Sequence, residues 1–365
     1  MPIIIFIIIL GTLILVHEFG HFIMAKRSGI RVDEFGIGFP PRLFRLFKKG
    51  ETEYTVNLIP FGGFVKIFGE NPTEEACAEG PERHRSFVYK SKFTQAAVIG
   101  AGVFMNVVTG WILLSAVFFA GFPAPVDLYP ERTLENVGVT VTEVLAKSPA
   151  AQAGFKEGDV LKSVSAEGIA SSPVTTVEMV QEYIALHGVD EISIAVVRNK
   201  TSLSFTVVPE EGIVSGKRAI GIAMDNIGLL RFPIHEALWQ GARLTAQYIG
   251  QIALGLGSLI YQAIAGTADY SQVTGPVGIV GIVGDVAALG FLYVVRFAAI
   301  ISINLAVLNL LPFPALDGGR LFFLLIEAIR RKPLPSRFVV MANTVGFVLL
   351  IILMVAITWK DIAAL

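Results

Sequence analysis

His17-Glu18-Phe19-Gly20-His21 interrupts an otherwise almost purely apolar run, residues 2–25. A helix needs roughly 20 apolar residues to cross a bilayer, and this run supplies them. Two imidazoles and a carboxylate at membrane depth are expensive, so they mark a functional site. His17 and His21 are four residues apart and share one face of a helix. That spacing offers two ring nitrogens to a single zinc ion, with Glu18 beside them as general base. A signal peptide would need a basic segment before the run and a small-residue cleavage pattern after it. Here Lys26-Arg27 closes the run instead.

The rest of the composition points the same way. Of 365 residues, 53% are hydrophobic and 16% charged, and the mean hydropathy is +0.66, as expected of an integral membrane protein. A net charge of −1 gives no basis for nucleic-acid binding. The single Cys77 excludes an intrachain disulfide and a cysteine zinc cluster, and reads as an incidental thiol in a polar loop. Any zinc site must therefore use His, Asp or Glu.

Four segments read as membrane spans: 2–25, 95–120, 288–311 and 338–358. Residues 26–93 carry 12 Lys/Arg, and 318–337 carry Arg320, Arg330, Arg331, Lys332 and Arg337 against the single acid Glu327. By the positive-inside rule both stretches face the cytoplasm. The stretch 121–287 and both termini then lie outside. A fifth apolar segment, 244–266, contains Gln247, Gln251 and Gln262. If it crossed, the next span would reverse and carry Asp317 away from His17. Residues 233–285 are therefore read as amphipathic helices on or partly in the outer face, broken at Thr274-Gly275-Pro276-Val277-Gly278.

Within the outer stretch, 138–142 and 192–197 are β-rich. The segment Ser148-Pro149-Ala150-Ala151-Gln152-Ala153-Gly154-Phe155 and its continuation Lys156-Glu157-Gly158-Asp159-Val160-Leu161 closely resemble the core signature of a bacterial PDZ domain, with 174–185 as its helix. Such a domain binds extended peptides by strand addition; a steric role alone is the other reading. Arg296, near the outer end of the third span, reads as snorkelling. His84, His187 and His235 read as bystanders, and the run Glu74, Glu75, Glu79, Glu82 as a solvated loop.

A catalytic zinc usually takes three protein ligands and leaves one position open. The third ligand should lie at the same membrane depth as His21, just before an inner basic loop. Asn309-Leu310-Leu311-Pro312-Phe313-Pro314-Ala315-Leu316-Asp317-Gly318-Gly319-Arg320 places Asp317 there. Its prolines free backbone groups that need a cavity or partner. The alternative is an Asp capping the following helix.

The ordered combination of the HEFGH span, Gly62-Gly63, Gly102 with Asn106, a PDZ-like segment and the NLLPFPALDGG span resembles the site-2 protease family, in its bacterial regulator-of-sigma-E branch. The resemblance covers nearly the whole chain. It implies an α-helical polytopic membrane protein of about four transmembrane helices, with a membrane-associated β-hairpin region and one inserted α/β PDZ domain, where some relatives carry two. The corresponding division is 1–122, 130–212 for the PDZ domain, 213–287 for amphipathic juxtamembrane helices, and 288–365. The resemblance implies one Zn2+ per chain held by His17, His21 and Asp317, with Glu18 as general base. It assigns Asn309 to substrate binding. From the residues alone, Tyr54-Thr55-Val56-Asn57-Leu58 and the turn at Gly62-Gly63 fit an ordinary hairpin as well as one that pairs with substrate; the resemblance selects pairing.

The implied activity is intramembrane cleavage of single-span membrane proteins already trimmed outside, such as anti-sigma factors and leftover signal peptides. The implied location is a bacterial inner membrane, with the lipid bilayer and transmembrane substrates as partners and a peptide or substrate segment as the PDZ ligand. The PDZ domain and termini would be extracytoplasmic and the active site near the cytoplasmic side. Two other readings compete. A membrane-surface zinc metallopeptidase for protein quality control would place its HExxH helix nearer solvent and use a Glu as third ligand. A non-catalytic PDZ scaffold has no need of Glu18.

Overall fold

The computed structural model describes residues 1–70, 82–166, 169–198, 201–214, 217–267 and 274–363. Cys77 and the acids Glu74, Glu75 and Glu79 lie outside the described residues. In chain order the elements are α1 (Pro2–Arg27), β1 (Val32–Lys49), β2 (Thr52–Ile67), α2 (Lys92–Ala120), β3 (Phe122–Pro125) and β4 (Glu135–Val144). Then come α3 (Pro149–Ala153), β5 (Val160–Ala166), β6 (Ser172–Pro173), α4 (Val177–Leu186), β7 (Ile192–Arg198) and β8 (Thr201–Val207). β9 (Glu210–Val214), β10 (Lys217–Ala219), β11 (Ile222–Leu230), α5 (Ile234–Ile264), α6 (Pro276–Leu289), α7 (Phe291–Asn309), α8 (Asp317–Arg330) and α9 (Ser336–Ala363) complete the chain. The chain divides into two compact units. One comprises Met1–Ser115, Leu238–Ala287 and Val294–Leu365; the other comprises Ala116–Ala237 and Ala288–Tyr293.

In the helical unit, α1, α2, α7 and α9 are long and apolar enough to cross a membrane, and they coincide with the four segments expected from the sequence. The third begins later than expected, at Phe291, because Gly290 in a left-handed turn ends α6 first. α9 leaves Phe347, Ile352 and Leu353 exposed, which suits contact with lipid. α1 and α2 approach closely at small residues: a Cβ on Gly20 would stand 2.4 Å from the Ala101 carbonyl oxygen. α5 is not among the four. Its first half packs on α2, where Trp111 Nε1 donates to the Leu238 carbonyl at 2.8 Å. Arg296 is not simply a snorkelling cation, because its guanidinium donates to Tyr248 on α5 at 3.3 Å. The break before α6 is held from α9, whose Asp361 carboxylate accepts from the Gly275 and Gly278 N–H groups at 3.2 and 2.8 Å.

The sheet between α1 and α2 is more than the expected hairpin. Residues 34–37 pair on both sides, with Lys66, Val65, Phe64 and Gly63 on one and Glu53, Tyr54, Thr55 and Val56 on the other. Residues 42–49 pair with 52–57. Both long strands therefore bend, β1 at Pro40-Pro41 and β2 around Pro60 to Gly62, where proline cannot donate to a ladder. The result is four runs in the order 42–49, 52–59, 32–39, 63–67. Ala25, Ile30, Val32, Ile67, Val98 and Ile99 form the core beneath it.

In the other unit, six strands run β3-β11-β4-β5-β7-β8, and β6 pairs with β5. The sheet does not close at residue 212. Residues 213, 214 and 217–230, assigned above to juxtamembrane helices, contribute to β9, β10 and β11; β9 and β10 pair with each other, and β11 lies between β3 and β4. The physical reason is that Ile222 and Met224, two apart, pack on the core of Val139, Leu161, Ile192 and Ile194. The Ser148 hydroxyl caps α3 by accepting from the Ala151 N–H, and Gly154 ends it in the left-handed conformation. Asp159 is fully buried and held by Arg198 through bonds of 2.6 and 2.7 Å, with the Lys156 N–H adding a third at 2.9 Å.

Removing one partner of such a pair leaves a buried charge. Arg198→Ala should lower the local opening free energy of this sheet by about 3 kcal/mol. Hydrogen exchange at Leu161 and Val196 should then speed up roughly 100-fold. Unchanged protection would show that the pair does not hold the sheet.

Candidate metal centre

α1 presents His17 and His21 one turn apart, and both are buried. Their rings meet edge-on, 4.7 Å between centroids, with the two Nε2 atoms 3.1 Å apart. Asp317, 300 residues along the chain, brings Oδ2 to 3.0 Å from His17 Nε2 and 3.4 Å from His21 Nε2. All three candidate ligand atoms lie within 4.8 Å of one another.

The donor set fits a metal ion. Asp317 Oδ2 is buried and makes no directed hydrogen bond. Three electron-rich atoms that converge without a proton donor between them call for a cation. Tetrahedral zinc with bonds of about 2.0 Å would set its ligands roughly 3.3 Å apart, close to the separations found. Two imidazoles and a carboxylate are also a common ligand set for catalytic zinc.

Both imidazoles are oriented from behind by α2. His21 Nδ1 donates to the Val98 carbonyl at 2.9 Å, which leaves Nε2 its lone pair. His17 Nδ1 faces the fully buried Asn106 amide at 3.2 Å, and Asn106 Oδ1 has no partner among the described residues. With the amide turned over, Oδ1 accepts from Nδ1–H and the His17 Nε2 lone pair is free as well. Gly102 makes room for the rings: a Cβ there would stand 2.5 Å from His21 Nε2 and 2.8 Å from His17 Cε1.

Asp317 is placed by the turn after α7. Ala315 adopts a positive φ of 75°, and its N–H donates to Asn343 Oδ1 on α9. Gly318 and Gly319 are buried. Cβ atoms there would stand 2.3 and 2.2 Å from the Leu310 and Phe313 carbonyl oxygens, so only glycine lets the turn fold over the start of α8. Asp317 is the first residue of α8, not its cap; Leu316 holds that position, and no side chain caps the helix. One turn on, Arg320 donates to Glu70 and ties α8 to the end of the sheet. Burial works against the Arg320 charge, but the Glu70 carboxylate outweighs it and holds the guanidinium above its ordinary range.

Glu18 borders the same cavity of about 300 Å³ as His17, Asp317, Asn106 and Asn309. Its Oε2 accepts the Val65 N–H of β2 at 3.2 Å. Gly62 and Gly63 do not line the cavity. Gly62 has a φ of 84°, and a Cβ there would stand 2.6 Å from Ile14 Cγ2; one on Gly63 would meet the Gly36 carbonyl oxygen at 2.8 Å. These glycines let the sheet pass α1 at close range. Three contributors carry no assigned role in the sequence reading. Asn106 was findable as an amide inside an apolar span, whereas the Val98 carbonyl and Val65 N–H are backbone groups without a sequence signal.

Comparison with known proteins bears on the whole chain. Residues 5–353 match peptidase family M50. The chain is 36% identical over 354 residues to a putative zinc metalloprotease of Clostridium perfringens, covering 96% of each chain. It is 32% identical to the zinc metalloprotease RasP of Geobacillus kaustophilus, over 98% of this chain and 96% of that one. It is 30% identical to the regulator of sigma-W protease RasP of Bacillus subtilis, over 99% and 98%. With four helices fit to cross a membrane, the chain belongs to peptidase family M50, the site-2 proteases, and is a RasP-like zinc metalloprotease of the membrane.

Proposed function

We propose that this enzyme cuts single-span membrane proteins within the bilayer, after a first cut outside has trimmed them. Anti-sigma factors and leftover signal peptides are the substrate classes the reading favours. One observation carries it: His17 and His21 on the apolar span α1 converge with Asp317 at the start of α8, with Glu18 at the same cavity. His17, His21 and Asp317 would hold the zinc, and Asn106 and the Val98 carbonyl would orient the imidazoles. Zinc, when bound, supplies Lewis-acid activation of water and of the scissile carbonyl. Glu18 takes the water proton as the new C–O bond forms, then returns it to the leaving nitrogen as the C–N bond breaks.

A transmembrane helix already satisfies its own backbone, so it must be unwound before it is cut. Among the described residues the run 63–67 pairs on one side only, and it meets Glu18 through Val65. Its free edge would take the substrate as an added strand, and Asn309 would bond the extended backbone. Gly62 and Gly63 serve this by letting the edge lie along α1. The sheet unit is read as the PDZ domain, outside the cytoplasm with both termini, where it would exclude substrates that keep bulky outer domains. The basic stretches 26–93 and 318–337 support a reading with the active site towards the cytoplasm.

Cleavage of a model single-span substrate in detergent, measured beside zinc content, tests the chemistry. Glu18→Gln should keep its zinc and lose roughly 10²–10⁴-fold in rate. Asp317→Asn should lose both; wild-type cleavage by the Glu18 variant would sink the mechanism. Asn106→Ala should weaken zinc affinity about 10–100-fold, read by competition with a chelator, and an unchanged affinity would remove Asn106 from the site. Replacing 130–230 by a short linker should extend cleavage to substrates with a folded outer domain. If the substrate range stays the same, the domain is not a filter.

A further inference from the structure

The sheet of β1 and β2 has two edges, and only the 63–67 edge meets Glu18. The other edge is Arg42-Leu43-Phe44-Arg45-Leu46-Phe47-Lys48-Lys49, which pairs with 52–57 on one side and with nothing described on the other. All eight residues are exposed. Leu43, Phe44, Leu46 and Phe47 are each 48% exposed or more.

The run alternates two apolar residues with a cation. Successive strand residues point to opposite faces, so each face carries both kinds and a protein core could bury neither without burying charge. In water, an apolar edge of this length is a site of aggregation. The mixture suits a membrane interface, where aromatic and aliphatic groups enter the acyl boundary and cations stay with the headgroups. The edge is continuous with a membrane helix. Phe47 stacks on Tyr54 at 4.5 Å, Tyr54 lies 6.0 Å from Phe22, and Phe22 lies 6.1 Å from Phe19, both on α1.

The charge is one-sided. The run holds four cations and no acid. Arg42 is shared with Glu34 and Glu53, and Arg45 with Glu53. Among the described residues Lys48 and Lys49 have no acidic partner within 4.0 Å.

We propose that strand 42–49 is a docking surface for anionic phospholipid, with Lys48 and Lys49 on the lipid phosphates and Leu43, Phe44, Leu46 and Phe47 at the acyl boundary. The proposal rests on the membrane reading of the chain. A protein that failed to enter lipid discs would defeat that reading, whereas a protein that enters them tests the docking alone.

The test uses the full chain in nanodiscs, with Cys77→Ser and an environment-sensitive dye on Leu43→Cys. Brominated lipid should quench the dye more in discs containing phosphatidylglycerol than in phosphatidylcholine alone. Each lysine should contribute roughly five-fold to the docking equilibrium, so Lys48→Glu with Lys49→Glu should abolish the difference. Lys48→Arg with Lys49→Arg should keep it, which separates lost charge from a damaged sheet. Equal quenching in both lipids, no quenching in either, or a difference that survives charge reversal would overturn the proposal.

Discussion

The constraint on which the rest depends is the convergence of three lone-pair atoms, His17 Nε2, His21 Nε2 and Asp317 Oδ2, in a buried place. Left to themselves they repel, and an unpaired buried carboxylate costs several kcal/mol. The chain bears this only by fixing each group from outside. α2 comes close enough because Gly20 and Gly102 lack side chains. The turn before α8 is tight enough because Gly318 and Gly319 do. Arg320 on Glu70 then anchors α8 beyond the turn. A metal held there would add to the stability of this packing, since a ligand that binds the folded state stabilises it.

The sheet extends this frame to Glu18. A carboxylate beside two imidazoles can swing towards the metal and act as another ligand. The Val65 N–H gives Glu18 an alternative partner and keeps it at the cavity wall. Backbone donors suit this task because the rest of the sheet holds them rigidly. The central run, 32–39, pairs on both flanks and transmits that rigidity between the two edges.

Much of this was legible in the sequence. The four spans follow from length and apolarity. The shared face of His17 and His21 follows from a spacing of four inside a span, and the approach of Asp317 to them was anticipated from its place before a basic loop. Other features left little sequence signal. Strand order is not written in a run of β-formers, so Tyr54 to Leu58 showed a strand but not its second neighbour across the sheet. Residues 222–230 lie between a polar domain and apolar helices, and tertiary pairing with β4 decided their state. The partners of the imidazoles are a backbone carbonyl and one amide, and a carbonyl is the same at every residue.

On the proposed reading, Gly62 and Gly63 serve substrate through the position of the strand. Their freedom is used up against Ile14, Leu15 and Gly36, where a Cβ would not fit. That contact sets how closely the 63–67 edge runs past α1, and hence where the Val65 N–H lies relative to Glu18. On the proposed reading the edge must offer hydrogen bonds to an unwound substrate within reach of the catalytic atoms. A displacement of about 1 Å at such a site costs up to 100-fold in rate. A side chain at either glycine would force Ile14, Leu15 or the neighbouring strand to shift, so on this reading the glycines act through the position of the strand, while contact with substrate would fall to the backbone beyond them.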